Sequence, residues 1–414
     1  MDKPQQLVSY MPKQEDFDDA RRKLLSDNKK ENKKTVSIDD MLNVIENNLK
    51  ESGCRLSQSW REVTKKNIEI WQQRKGAEMT YDKGSKMLDL EWYNNDIYDY
   101  FVKNDYFFPK EVLARYFLSL KTKPFVILTG ISGTGKTKIA QVFAEYMCQD
   151  DTPDEREKRI AFISVRPDWM DNKGLLGYYN ILDEKYYATS LLKLLLNAQQ
   201  NPDKPYFVIL DEMNLAKVEQ YFSDFLSIME SRTPNNPDGE SMELYYAENA
   251  KTHDGTPIPS KLHIPANVYF TGTVNVDEST YMFSPKVLDR ANVIEFNDVN
   301  LKQYSSSSDQ AGAFLLKDTD VRRELIDQKH SPFCSREDYY EAEKIIGKEI
   351  NVLQDMLNIL HPYNLHFGYR VINEVSRFII NTKDMVEEFN INETLDVQIL
   401  QKVLPKFHGS QAKL

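Results

Sequence analysis

The distribution of apolar residues changes character twice along the 414-residue chain. Up to about residue 108, apolar positions recur at helical spacing among many charges. Ser37 opens the clearest segment. Its hydroxyl suits an N-cap, Asp39 and Asp40 fall in the first turn, and Ile38, Met41, Leu42, Ile45 and Leu49 share one face. A second helix is expected around Trp60, Val63, Asn67 and Trp71. Residues 1–108 are therefore expected to form a helical N-terminal region whose apolar stripes pack helix on helix.

From Pro109 to about Asn300 the pattern alternates between helical segments and short apolar runs. Pro109 suits the first turn of a helix carrying Val112, Leu113, Tyr116, Phe117 and Leu120. The runs lie at Phe125–Leu128, Ile160–Val165, Tyr206–Leu210, Val268–Thr273 and Val293–Phe296. Runs this short and this uniformly apolar, separated by helices, predict a five-stranded parallel sheet buried on both faces. Residues 109–300 thus form an expected α/β core. Residues 301–335, with four serines at Ser305–Ser308, have the texture of a linker. Residues 336–414 are expected to be helical, with Ile346, Ile350, Leu353, Leu357 and Leu360 at helix spacing.

Composition narrows the classes. A hydrophobic share of 41% with 28% charged residues is an ordinary globular mixture. Cys54, Cys148 and Cys334 are too scattered for a disulfide framework and fit no zinc spacing, so a reducing, cytoplasmic setting is expected. Neither a signal-peptide core nor a membrane span is expected. A net charge of -11 argues against a surface that wraps DNA indiscriminately, and leaves room for a local basic path or a channel formed on assembly. The run Arg21–Lys34, seven basic residues against two acidic, reads first as a solvated face or linker and second as a DNA-backbone contact. The aromatics Tyr98, Tyr100, Phe101, Tyr106, Phe107 and Phe108 read first as buried against the next domain and second as a base-stacking surface.

The chemistry begins directly after the first strand. Gly130, Ile131, Ser132, Gly133, Thr134, Gly135, Lys136 and Thr137 make a Walker A loop. Its glycines let backbone N–H groups wrap phosphates at the start of a helix, Lys136 can reach the β- and γ-phosphates, and the Thr137 hydroxyl can bind Mg²⁺. The strand Tyr206–Leu210 ends in Asp211 and Glu212, the Walker B arrangement. Asp211 is the expected Mg²⁺ partner and Glu212 the group that polarises the attacking water. Asn275, at the C-terminal end of the Val268 strand, stands where ligands bind in open α/β sheets and is a candidate to orient that water. Arg290, after a short helix opened by Pro285, is a candidate finger reaching a neighbouring subunit's nucleotide; the alternative is an ordinary surface arginine. The segment Arg232–Lys261 reads either as a hairpin inserted before the Val268 strand or as a surface excursion.

Together these motifs resemble the AAA+ superfamily and, within it, its McrB-like branch. The resemblance runs from about Glu111 to Leu414. It is carried by Asp211-Glu212-Met213-Asn214-Leu215-Ala216, by Thr273-Val274-Asn275-Val276-Asp277-Glu278-Ser279, and by Val165-Arg166-Pro167-Asp168-Trp169 with Gly174-Leu175-Leu176-Gly177-Tyr178-Tyr179. It implies an AAA+ P-loop domain with a C-terminal helical lid, and a homo-oligomeric ring, a hexamer, with nucleotide at the subunit interfaces. Asp277 joins the expected site through the branch's signature. Arg370, in Phe367-Gly368-Tyr369-Arg370, would be a sensor touching the γ-phosphate of its own subunit. Members pair with a separate McrC-like nuclease subunit, stimulate its cleavage and translocate DNA. Glu278 and Leu215 stand where the branch carries arginines, so ATP and GTP both remain candidate substrates, with Mg²⁺. Two other readings share the core motifs: a MoxR-like protein-remodelling chaperone and a nucleotide-gated switch or scaffold.

Overall fold

The computed structural model describes residues 42–44, 47, 97–104, 106–233, 236, 239–247, 249–276, 281–297, 314–317, 321–326, 333–363 and 365–407. The chain divides into two units, Met1–Tyr100 and Phe101–Leu414. Of the helices expected before residue 97, Leu42–Val44 and Asn47 are described and helical, with Leu42 buried. The Trp60 helix and the Arg21–Lys34 run lie outside the described residues, and a further helix spans Ile97–Lys103.

The second unit is built on an all-parallel sheet. Its strands are β1 (Phe125–Gly130), β2 (Ile160–Ser164), β5 (Tyr206–Asp211), β8 (Val268–Asn275) and β9 (Asn292–Glu295), in spatial order β2-β5-β8-β1-β9. All five expected runs are strands of this sheet. Phe125, Val126, Ile127 and Leu128 are fully buried, as are Val208, Leu210, Val268 and Phe270, because helices cover both faces. Helix α1 (Lys110–Thr122) follows Pro109, and α2 (Lys136–Met147) follows the Walker A loop. Helix α3 (Pro153–Arg159) starts from a capping box of Thr152 and Glu155 with proline in the first turn, and α4 (Ser190–Gln200) from Thr189, whose hydroxyl accepts from the Leu192 N–H at 3.2 Å. Helix α5 (Ser223–Ser231) follows β5, and the four-residue α6 (Pro285–Leu288) precedes β9.

Two features depart from a plain alternation. An antiparallel hairpin, β3 (Gly177–Asn180) with β4 (Lys185–Ala188), stands between β2 and α4. Within the segment expected as hairpin or excursion, β6 (Met242–Glu243) pairs antiparallel with β7 (Lys261–Leu262). Tyr245 and Ile258 of that segment are buried in the main core, joined by a hydrogen bond from the tyrosine hydroxyl to the Ile258 carbonyl, so the excursion is anchored.

The C-terminal helices are α7 (Arg336–Ile346), α8 (Asn351–Leu360), α9 (Tyr369–Met385) and α10 (Ile391–Gln398), the last continuing as a π-helical turn, Ile399–Val403. Ser335 and Asp338 form the capping box of α7. The expected run from Ile346 to Leu360 is interrupted at Gly347, where a 3₁₀ turn (Gly347–Ile350) separates α7 from α8. In the stretch read as linker, the described residues include a helix, Val321–Ile326, and Leu316 bridges to Val386. Among the described residues no helix is long and apolar enough to cross a membrane.

Candidate functional site

Parallel strands place all their C-terminal ends on one edge, and three adjacent strands bring the Walker residues together there. Gly130 closes β1, Asp211 closes β5 and Asn275 closes β8, with Gly130 in register with Asn275. The loop after Gly130 turns through glycines at positive φ. Gly133 has φ +81 and Gly135 φ +91, and Gly135 is the left-handed N-cap of α2. A side chain at Gly135 would also meet the Phe108 ring at 2.9 Å, so the position is restricted by conformation and by space. Ile131 and Ser132 are exposed on the loop, and the Thr134 hydroxyl donates to the Ile131 carbonyl at 3.0 Å. Lys136 is buried, its ammonium donating to the carbonyls of Gly130 at 3.0 Å and Ile131 at 2.5 Å.

The carboxylates are held by hydroxyls and an amide. Asp211 Oδ1 accepts from Thr137 Oγ1 and from Thr273 Oγ1, each at 2.8 Å. Thr273 in turn accepts from the Glu212 backbone N–H at 3.0 Å, and Glu212 Oε1 accepts from Asn275 Nδ2 at 3.3 Å. Glu212 has φ 53, a left-handed conformation that non-glycine residues rarely adopt. Such strain persists where the surroundings over-determine it, as the Thr273 and Asn275 bonds do here. Thr273 has no motif of its own in the sequence. The signal that could have found it is the two-residue period of a strand: Thr271, Thr273 and Asn275 form one polar face of β8, and Thr271 bonds the Tyr116 hydroxyl at 2.8 Å.

Mg²⁺ fits this donor set. The ion takes hard oxygen ligands and is usually held by one or two protein groups together with substrate phosphates. The adjacent Thr137 hydroxyl and Asp211 carboxylate, beside a helix N-terminus, are such a pair. Asp277 lies outside the described residues. Neither described cysteine offers a nucleophile: burial pushes the thiols of Cys148 and Cys334 up to about 12.

The two arginines stand elsewhere. Asn292 of β9 is in register with Val126 of β1, so Arg290 is level with Pro124, six residues before Gly130. Arg290 thus precedes the N-terminal end of β9, at the edge of the sheet opposite the strand ends that carry the P-loop. Arg290 donates to the Lys286 carbonyl at 2.7 Å and forms an ion pair with Glu230, near the end of α5. Arg370, the second residue of α9, forms an ion pair with the same Glu230. Helix α9 is docked at that edge by Lys123 with Glu374 and by Asn381, whose side-chain amide donates to the Thr122 hydroxyl at 3.0 Å. The expectation that Arg370 touches the γ-phosphate of its own subunit stays a proposal beside this ion pair with Glu230.

A buried node holds the arginine segment. Lys402, on the π-helical turn, is fully buried and paired with Glu374 of α9. Its ammonium donates to the carbonyls of Asp289 at 3.3 Å and Ala291 at 2.9 Å, on either side of Arg290. Burial pushes the Lys402 ammonium down to about 8 against the pull of Glu374. Burial alone would raise the Glu374 carboxyl, but Lys123 and Lys402 outweigh it and hold it below the usual carboxylate range.

The sheet, the P-loop and the carboxylate pair at its strand ends make up a P-loop domain of the AAA+ kind. Residues 125–291 match the AAA domain of the dynein-related subfamily, and residues 320–414 match a domain of unknown function, DUF8727. The chain is similar to the type IV methyl-directed restriction enzyme EcoKMcrB subunit of Escherichia coli K12. The two are 24% identical over 268 residues, 63% of this chain and 51% of that subunit, so the chain matches about half of the relative's length. Neuron navigator 3 of mouse and of human is 30% identical over 131 residues, 31% of this chain and 5% of that protein. A solved structure from Cytophaga hutchinsonii is 14% identical, covers 76% of this chain and 88% of its own, and superposes with a TM-score of 0.41. At that score the likeness carries no structural argument.

Proposed function

We propose that this chain is a nucleoside triphosphatase that assembles into a ring, a hexamer, and couples hydrolysis of ATP or GTP to DNA movement and to the activity of an McrC-like nuclease partner in a restriction system. The observation that carries the hydrolytic part is the connected set Thr137–Asp211–Thr273–Glu212–Asn275 at the ends of three adjacent strands. The DNA and nuclease parts rest on the similarity to the EcoKMcrB subunit.

In this reading, the backbone N–H groups from Ser132 to Thr137 and the Lys136 ammonium bind the triphosphate. Thr137 and Asp211 would hold Mg²⁺, which when bound would neutralise phosphate charge. Glu212 accepts a hydrogen bond from the attacking water and takes its proton as the water's oxygen bonds to the γ-phosphorus and the bond from that phosphorus to the β–γ bridging oxygen breaks, releasing the nucleoside diphosphate. Asn275 donates to Glu212 and fixes the carboxylate's orientation. The arginine face of an adjacent subunit supplies positive charge to the transition state, an effect of roughly 10³–10⁵ in rate where such fingers operate.

Phosphate release from ATP and from GTP, measured across protein concentrations with and without DNA, tests the proposal. Turnover that rises with concentration and with DNA, and disappears in Lys136→Ala and Glu212→Gln, is the expected result. Turnover indifferent to DNA and raised by protein substrates would replace it with a protein-remodelling machine. No turnover with either nucleotide would leave a switch.

A further inference from the structure

The hairpin β3–β4 takes no part in the site above, and its tip departs from the composition of exposed turns. Turns favour Gly, Asn, Asp and Ser, but this one opens with Ile181 and Leu182, 81% and 95% exposed. Both would gain by burial, and among the described residues nothing covers them. The turn is nonetheless firmly built. The Asn180 side chain accepts from the Leu182 N–H at 3.0 Å, and Glu184 takes a left-handed φ of 53. The Tyr187 hydroxyl donates to Asp183 at 2.7 Å, and the His253 imidazole stands 3.9 Å from the same carboxylate. Tyr178 stacks on Tyr187 across the strands. On the other face Tyr179 and Tyr186 pack on Tyr245 of the anchored excursion, with ring centroids at 5.6 and 5.9 Å. The Tyr186 N–H donates to the Lys251 carbonyl at 2.9 Å, so the excursion ties the hairpin through its backbone as well. At the base, Gly177 has φ +88, and a side chain there would overlap the Tyr187 carbonyl, so the strands close this tightly only on glycine.

A braced turn that holds two apolar side chains in water conflicts with the stability of the free subunit. Conflicts of this kind collect at functional sites, and exposed apolar surface marks places of association. A tip already fixed in one conformation also loses little freedom when it binds. We propose that Ile181 and Leu182 form a preformed anchor for a partner protein, entering an apolar pocket with a basic rim. The inference rests on the reading above, whose nuclease subunit is the occupant it names. Charge decides between protein and nucleic acid. Asp183 and Glu184 directly follow the two apolar residues, and Lys185 is the sole cation from Gly177 to Ala188. The carboxylates oppose a phosphate backbone, whereas a basic rim complements them. Behind the tip the stacked Tyr178 and Tyr187 are partly exposed, and aromatic area of this kind is enriched at the centres of protein interfaces.

Binding of a purified McrC-like nuclease subunit to the full chain, measured by isothermal titration calorimetry with nucleotide present, tests this. The double variant Ile181→Ser with Leu182→Ser should weaken that binding at least about 30-fold, the scale of an interface hot spot. Phosphate release by the chain alone and its Tm should stay at wild-type values, since both side chains stand almost wholly in solvent. Asp183→Asn with Glu184→Gln should slow association with the nuclease subunit and flatten its dependence on salt. Affinity of the serine double variant for a DNA duplex, read by fluorescence anisotropy, should match wild type. Wild-type binding of the nuclease subunit by the serine double variant would overturn the proposal. A lower affinity for the duplex alone would also overturn it and make the tip a nucleic-acid element. A smaller assembly in analytical ultracentrifugation would overturn it by making the occupant a second copy of this chain. A nuclease subunit that does not bind the wild-type chain would overturn it together with the partner part of the reading above, leaving hydrolysis untouched.

Discussion

Thr273 shows how much of the site rests on one hydroxyl. It donates to Asp211 and accepts from the Glu212 backbone, so it joins the proposed metal-binding carboxylate to the proposed water-orienting one. Thr273→Val preserves shape and β-branching while removing both bonds. A hydrogen bond to a charged group contributes about 1.5–3 kcal/mol, so a fall in kcat of roughly 10–100-fold is expected together with a lower Tm. Steady-state kinetics alongside a melting curve would check it; an unchanged kcat would mean that Asp211 and Glu212 hold their positions unaided. For Glu212→Gln the expected loss in kcat is about 10²–10⁴-fold, with nucleotide binding retained. That Lys136, Thr137, Asp211, Glu212 and Asn275 gather at one edge of the sheet was legible in the sequence, because each follows or closes an apolar strand. Thr273 and Glu230 were not, because their roles arise from neighbours 62 and about 60 positions away that only tertiary packing brings close.

The same division holds for elements. The five parallel strands could be read from short apolar runs, since burial on both faces leaves little choice of residue. The hairpin β3–β4 could not. Its Gly-Tyr-Tyr-Asn and Lys-Tyr-Tyr-Ala strands lack apolar continuity, and stacking of Tyr178 on Tyr187 at 5.3 Å is a cross-strand property. The docking of α9 was equally hidden, because it depends on a buried carboxylate between two lysines from distant segments. Glu374→Gln leaves Lys402 and Lys123 facing a neutral amide. Breaking a buried pair in this way costs about 3–5 kcal/mol, which differential scanning calorimetry at neutral pH should show as a clear drop in Tm. The pH dependence has a definite sign. The Glu374 carboxyl is lowered from 4.5 in the fold, so its contribution is present above that value and fades as pH falls through the depressed folded value. Wild type should therefore lose stability faster than Glu374→Gln on acidification below about 4.5. Parallel acid limbs would show that Glu374 is not held ionised by its lysines.

For the whole molecule, the boundary between units falls at Tyr100 and Phe101, and the sheet, the P-loop and the C-terminal helices all belong to the second. That unit has its own core: Phe125, Phe222, Phe225 and Phe270 contact one another within the sheet's main cluster, and a second cluster joins Ala342, Phe367 and Leu395 among the C-terminal helices. A fragment spanning residues 97–414 is accordingly expected to fold cooperatively and to bind nucleotide with the affinity of the full chain. Circular dichroism melting and titration with a fluorescent nucleotide would check this. Loss of the melting transition would show that the first unit is needed for the second to fold.

The lysine that brackets Arg290 has a further consequence for how the protein is made. Ala291 and Lys402 are separated by 111 positions, so at about 5–20 residues per second the ribosome needs roughly 5–20 s to join them. During that interval the strands bearing the P-loop and the carboxylates are already outside or emerging, while the segment around Arg290 lacks its anchor. A nascent chain can thus be able to hold nucleotide before it is equipped to help a neighbour hydrolyse it. On the proposed mechanism, order of synthesis separates completion of the nucleotide-receiving strands from anchoring of the arginine segment.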